Sequence, residues 1–476
     1  MAFHKFLVPW CVVVTFLWVN LAFNVRAAQP NVVMVLIDDM GWGDFSCFGN
    51  KEVKTEGIDR LAKEGIRFTQ FYVNSPICSP SRTALTTGQY PQHWRMNSYL
   101  DNRAANERRG VAQWLDPKAP TLARHLKQAG YATGHFGKWH MGGQRDVGEA
   151  PAITEYGFDE SLCNFEGLGP RLLPLCDAYD GQPLRKHALG SDNLGRGPMI
   201  WMDRSKITSG FAGAAIEFMK KSALDKKPFY VNVWPDDVHS PFFPPAARKG
   251  DGSKHAIYSG VLKTMDEQLE PLFSFIRTNE PLRTNTLVLV CSDNGPEPGA
   301  GSAGPFRGAK ATLYEGGTRS PLIVWGPGLI VGGEPGTRND RSVFSSVDLV
   351  PSILSIAGIK PKQGLFDGED LSSVLLGKDE KTRKAPLCWR RPPDRPGGAG
   401  ENLPDLAIRE GAWKLLCEYD GSRPQLYDLA KDPGEGTDLA AQKPEVVQRL
   451  SAAVVKWYRS APPAPEQRRK KNGTGE

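Results

Sequence analysis

Cys78 opens the run Cys78-Ser79-Pro80-Ser81-Arg82, and this spacing has a clear capacity for chemistry. Pro80 suits the first turn of a helix, where its missing N–H costs little. A helix starting here sets its N-terminus, together with Arg82, beside residue 78 and favours anionic oxygen there. A lone cysteine before a helix reads as a buried structural thiol, so its polar neighbours decide its meaning. Asp38, Asp39, Asp293 and Asn294 offer only oxygen ligands, which suits a hard cation such as Ca²⁺ or Mg²⁺ rather than zinc. One Asp-Asp pair alone is a common helix cap or turn. The second pair, at another strand end, changes that balance, because carboxylates sharing one pocket repel without a cation. Lys138 alone reads as a solvated charge, and His140 alone as a structurally satisfied ring. His239 adds an imidazole whose ordinary pKa suits proton transfer.

The elements that must position these residues are short apolar, β-rich runs separated by amphipathic stretches of helical period, an α/β pattern. Strands are predicted at 31–37, delivering Asp38 and Asp39; at 131–136, leading to Lys138 and His140; and at 229–234, leading to His239. Another at 286–290 leads to Asp293 and Asn294, and 321–325 is a further core strand. Ligands of open α/β sheets bind beyond the carboxyl ends of the strands, so four such ends point to one pocket. Helices are predicted at 58–64, 121–129, 211–221, 256–275 and 347–357. A Gly- and Pro-rich stretch, 391–402, marks a loop between the main body and a smaller C-terminal unit. That unit continues through strand patterns at 406–417 and 425–429 and a helix near 444–458. The Pro-rich, then charged, residues 461–476 are expected to be disordered.

At 476 residues the chain is long enough for one large domain and a smaller one. Its 40% hydrophobic and 24% charged residues describe an ordinary globular protein. The net charge of +6 is weak evidence for a polyanionic partner, since Arg468, Arg469, Lys470 and Lys471 supply four of those charges. No nucleic-acid partner is expected. Lys5, an apolar run to Phe23 and Ala27-Ala28 have the layout of a secretory signal peptide, with an uncleaved membrane anchor as the alternative. No later run is long and apolar enough to span a membrane. Of the eight cysteines, Cys11 falls in this leader, and an exported chain can pair others, such as Cys163 with Cys176, or keep them as buried thiols. No CxxC pair or Cys/His cluster suggests zinc.

The C-S-P-S-R run, followed by Thr87-Gly88, resembles the maturation signature of the formylglycine-dependent sulfatases, within the alkaline phosphatase superfamily. Thr86 stands where that family usually has Leu or Met, a packing change. The resemblance implies that a separate maturation enzyme oxidises Cys78 to formylglycine. The hydrated aldehyde escapes the trap of a stable sulfated side chain, because one hydroxyl attacks sulfur and deprotonation of the other expels sulfate. Asp38, Asp39, Asp293 and Asn294, with residue 78 itself, match the family's metal ligands, and Ca²⁺ is its usual ion, with Mg²⁺ second. Gly137-Lys138-Trp139-His140-Met141-Gly142 is similar to the G-K-W-H-x-G element. Carried over, Lys138 orients the hydrated residue 78 and the sulfate, and His140 takes the proton that triggers sulfate release. His239-Ser240-Pro241 resembles the H-x-P element, whose histidine contacts the sulfate ester and helps protonate the leaving oxygen; Asp236 or Asp237 either orients this histidine or contacts substrate. Residues 306–317 resemble R-G-x-K-x-T-x-Y-E-G-G, which makes Lys310 the holder of a sulfate oxygen. Ala309 and Ala311 replace frequent glycines and are strained if either position requires positive φ.

This resemblance runs from residue 31 to about 439. It implies an alkaline-phosphatase-like α/β fold: a large, mostly parallel sheet flanked by helices, plus a small C-terminal antiparallel sheet with a helix. The chain divides into a signal peptide, 1–27; a catalytic domain, 28–385; a small α+β unit, 386–460; and a basic tail, 461–476. The implied activity is a secreted or periplasmic sulfuric ester hydrolase acting on sulfated carbohydrate ahead of simple aryl sulfate. The alternatives are a phosphomonoester or phosphonate-ester hydrolase on the same fold and a noncatalytic binder of sulfated glycans.

Overall fold

The computed structural model describes Met1 and residues 29–176, 183–332, 334–395 and 402–460. The expected leader beyond Met1 and the expected tail lie outside the described residues. Among these residues no helix is long and apolar enough to cross a membrane.

The first strand, β1 (Asn31–Ile37), shows how the large sheet is covered, since all seven of its residues are buried. Val32, Met34 and Leu36 enter one hydrophobic core and Val33, Val35 and Ile37 enter another, so alternate side chains serve the two faces. Burial on both faces is why this strand reads as a continuous apolar run. Each fully buried aliphatic side chain there contributes about 1.5–3 kcal/mol.

The strands that follow are β2 (Ile66–Tyr72), β3 (Ala132–Gly137), β4 (Glu160–Cys163), β5 (Arg171–Cys176) and β6 (Arg185–Lys186). Then come β7 (Met199–Asp203), β8 (Phe229–Trp234), β9 (Thr286–Ser292), β10 (Arg319–Trp325), β11 (Thr337–Asn339) and β12 (Phe344–Ser345). The described sheet has twelve strands in the order β11-β2-β10-β9-β1-β8-β3-β4-β5-β6, with β12 beside β2 and β7 beside β5. β1 lies parallel to β8 and β9, and β3 parallel to β4 and β8, whereas β10 is antiparallel to β2 and β9. Helices Ile207–Leu224 and Lys254–Thr278 cover one face through Phe211, Phe218, Leu262 and Leu269. Helices Cys78–Thr87, Leu122–Gln128 and Ser346–Ile356 cover the other through Leu85, Leu126 and Ile353.

A second, four-stranded antiparallel sheet contains β13 (Leu387–Arg390), β14 (Leu406–Glu410), β15 (Trp413–Cys417) and β16 (Gln425–Asp428) in chain order. Its first strand precedes the Gly- and Pro-rich stretch, so that loop joins two strands of one sheet. The C-terminal helix Pro444–Ser460 packs on this sheet through Leu450 and Val454. Cys163 is a buried free thiol, so the bridge to Cys176 is not formed.

Candidate active site

Strand register assembles the site. Ile37 pairs with Ser292 in the parallel β1–β9 ladder, so the next residues, Asp38 and Asp293, leave the sheet side by side. Gly137 pairs with Trp234 and with Cys163, which brings the ends of β3, β8 and β4 to the same edge. The approach at Gly137 is close, because a Cβ there would lie 2.2 Å from the Trp234 carbonyl oxygen, and its φ is 124°. Only glycine fits both demands. Lys138 follows, its backbone N–H donating to the Trp234 carbonyl at 2.9 Å.

Cys78 is the first residue of its ten-residue helix, every residue of which is buried, and Pro80 lies in the first turn as predicted. Arg82, one turn on, is fully buried and donates from Nε to Asp293 Oδ2 at 2.9 Å and from Nη1 to the Lys138 carbonyl at 2.7 Å. Its Nη2 lies 2.8 Å from Asp293 and 3.1 Å from Asp38. The anions that Arg82 holds are therefore carboxylates, rather than only a group beside residue 78. Lys138 Nζ donates to Asp38 Oδ2 at 2.6 Å, and Lys310 Nζ donates to Asp39 Oδ2. Asn294 Nδ2 donates to Asp39 Oδ1 at 2.8 Å, and Asp39 N to Asp293 Oδ1 at 3.1 Å.

Charge is unevenly distributed over these acids. Burial opposes ionisation of Asp38, yet Lys138 and Arg82 hold its carboxyl well below the usual range. Burial and the adjacent Asp38 push Asp293 well above it. The donor set fits a hard cation on two further counts. Asn294 Oδ1 is buried with no hydrogen-bond partner. Ligand atoms of Asp38, Cys78 and Asp293 lie within 4.8 Å of one another, as do those of Asp39, Cys78 and His239. Burial also pushes the Cys78 thiol up, which keeps it protonated near neutral pH.

His140 Nδ1 lies 3.1 Å from Glu166 Oε2, and its Nε2 lies 3.0 Å from the Leu100 carbonyl oxygen. Burial pushes this ring down to about 4, against the pull of the two acceptors. Glu166 also sits 3.1 Å from Lys138 Nζ, and the His140 and Lys138 charges overcome burial to hold it down to about 2. His239 donates from Nδ1 to the Ser240 carbonyl at 2.7 Å, leaving Nε2 3.3 Å from Lys310 Nζ. Burial and the Lys138 ammonium lower its pKa. Neither aspartate orients this ring among the described residues: Asp236 accepts from Arg204 and Asn164, and Asp237 from Thr208. Ala311 stands at φ 70°, in the left-handed region where an alanine is strained, whereas Ala309 does not.

Cys78, His140, Glu166, His239 and Lys310 line one cavity of about 450 Å³, with Asp38, Asp39, Lys138, Asp293 and Asn294 buried around it. All the residues singled out from sequence thus converge. Glu166 is the one the sequence did not disclose. Its signal was position, three residues beyond the end of β4, but a four-residue strand gives little periodicity to read.

The sulfatase family model matches residues 30–359. Human (Homo sapiens) arylsulfatase A is 31% identical, over 89% of this chain and 87% of the relative. N-acetylgalactosamine-6-sulfatase of Canis lupus familiaris is 32% identical, over 92% and 87%. A Bacteroides thetaiotaomicron structure from work on glycosaminoglycan metabolism superposes with a TM-score of 0.71 at 25% identity, over 91% of this chain and all of that one. The Ps i-CgsB complex with a neocarrahexaose superposes at 0.72, with 24% identity, over 92% and 94%, and speaks to the fold alone. The chain belongs to the sulfatase family. It is a sulfuric ester hydrolase of the arylsulfatase type, on the alkaline-phosphatase-like fold that the resemblance implied.

Proposed function

We propose that this enzyme is exported and releases sulfate from sulfated carbohydrate, through a formylglycine derived from Cys78 and with Ca²⁺ held by Asp38, Asp39, Asp293, Asn294 and residue 78. The observation that carries this reading is a buried thiol at a helix start, facing one cavity with two histidines and a lysine. Such a thiol is a poor nucleophile as it stands. Its oxidised, hydrated form supplies the hydroxyls that attack sulfur and later expel sulfate. A bound Ca²⁺ supplies positive charge against the negative charge that develops there. Lys310 holds a sulfate oxygen and balances charge as the S–O bond changes. His239, when its ring is protonated at both nitrogens, gives a proton from Nε2 to the departing alcohol, and Lys138 fixes the orientation of residue 78. His140 accepts the proton whose loss releases sulfate. The preference for carbohydrate follows from the relatives, among them an N-acetylgalactosamine-6-O-sulfatase of Bacteroides thetaiotaomicron at 29% identity.

Sulfate release tests this directly, using sulfated amino sugars, glycosaminoglycan oligosaccharides and an aryl sulfate, with protein co-expressed with a maturation enzyme. The expected result is turnover of one sugar position, reduced about a thousandfold or more by Cys78→Ala and abolished by chelation with recovery on adding Ca²⁺. Turnover of phosphate esters alone contradicts the reading.

A further inference from the structure

The lining of the same cavity includes residues that the chemistry above does not use: Tyr99, Arg145 and Arg395. The Arg109 and Arg395 guanidinium groups each lie 4.5 Å from the centroid of the Tyr99 ring. Arg109 is neutralised by Asp394, 2.9 Å from its Nη1. Arg395 is different: its Nε is buried with no hydrogen-bond partner, and among the described residues no carboxylate pairs with it.

The acids lining the cavity are already matched. Glu166 lies against Lys138 and His140, and Glu297 lies 3.2 Å from Lys254 and 4.0 Å from Lys310. Arg145 is held by Asp101 at 2.7 Å. Arg395 is therefore the cation left over on this lining among the described residues. With guanidinium groups over it, Tyr99 is not open to stack a neutral sugar ring. A stacked guanidinium is preorganised, weakly hydrated and shaped to bind a carboxylate or sulfate through two oxygens.

We infer that Arg395, with Arg145 on the lining of the same cavity, forms an anion subsite that reads a second negative group, a carboxylate or a further sulfate, on the saccharide carrying the ester. This rests on the proposed action on sulfated carbohydrate, and it selects acidic or multiply sulfated saccharides within that class.

Binding tests it apart from turnover. The Cys78→Ala protein is titrated calorimetrically with a monosulfated neutral disaccharide, its counterpart carrying a uronic acid carboxylate, and a disulfated disaccharide. The second anion should tighten binding by about tenfold or more. Arg395→Ala should remove most of that preference, Arg395→Lys should retain part of it, and Arg145→Gln should weaken it independently. Tightening by only one of the two anionic probes identifies which group the subsite reads. Equal affinity for all three probes, or a preference undiminished in both Arg395→Ala and Arg145→Gln, overturns the inference. If matured enzyme hydrolyses none of the probes while the Cys78→Ala protein still discriminates among them, the subsite stands and the proposed hydrolysis of carbohydrate sulfate falls.

Discussion

Glu166 links Lys138 and His140, two groups of one sequence motif, through one carboxylate oxygen 3.1 Å from each. It acts through them, as a positioning residue. Glu166→Gln keeps the shape but removes the charge that aligns the Lys138 ammonium and the His140 ring. The expected result is a fall in kcat of about ten- to a hundredfold, the order expected for losing a buried charged contact, with little change in KM and part of the loss restored by Glu166→Asp. Equal kcat in Glu166→Gln and wild type would contradict this role. At this scale the sequence was informative wherever a motif fixed the spacing, and all ten residues it singled out meet around one cavity. Context that depends on distant partners was not legible. Arg204, Asn164 and Thr208 claim the two aspartates beside His239, which no local pattern could reveal.

Elements with uninterrupted apolar character were read well: 31–37 and 229–234 match their strands end to end. Ile66–Tyr72 was missed because Arg67 and Gln70 interrupt it, and their side chains find partners at the sheet margin, including Arg409 from β14. The two sheets meet in a buried cluster, where Lys414 of β15 lies 2.9 Å from Glu315 and 3.0 Å from Glu435. Two carboxylates share one ammonium, and they separate accordingly. Burial and the Glu315 charge raise Glu435 from 4.5 to about 7, while Lys414 and Arg319 overcome burial to hold Glu315 down to about 2. A carboxyl raised on folding contributes stability that is complete below its unfolded value and is lost as pH rises through the folded one. The thermal unfolding temperature should therefore fall between pH 4.5 and about 7 through this group, and Glu435→Gln should flatten that decline. Lys414→Met, which takes the cation from Glu435 and leaves Glu315 to Arg319 and Tyr72, should cost about 3–5 kcal/mol. The same pH slope in wild type and Glu435→Gln would remove this account of the junction.

Across the whole molecule, the large sheet brings the ends of β1, β3, β4, β8 and β9 to one edge, and the segment before β10 adds Lys310. Arg395, from the stretch after β13, completes the cavity wall. The α/β pattern and the convergence of strand ends were legible because strand order and burial leave a periodic trace. The outer strands and the pairing of β13 with β14 were not, because short strands carry almost none. The central claim is that residue 78 acts after its thiol has been replaced by an aldehyde. Mass analysis of the peptide containing residue 78 tests it most directly, on protein made with and without a maturation enzyme and assayed in parallel for sulfate release. The aldehyde fraction should rise and fall in proportion to activity. Full activity in protein whose Cys78 remains a thiol would contradict the account.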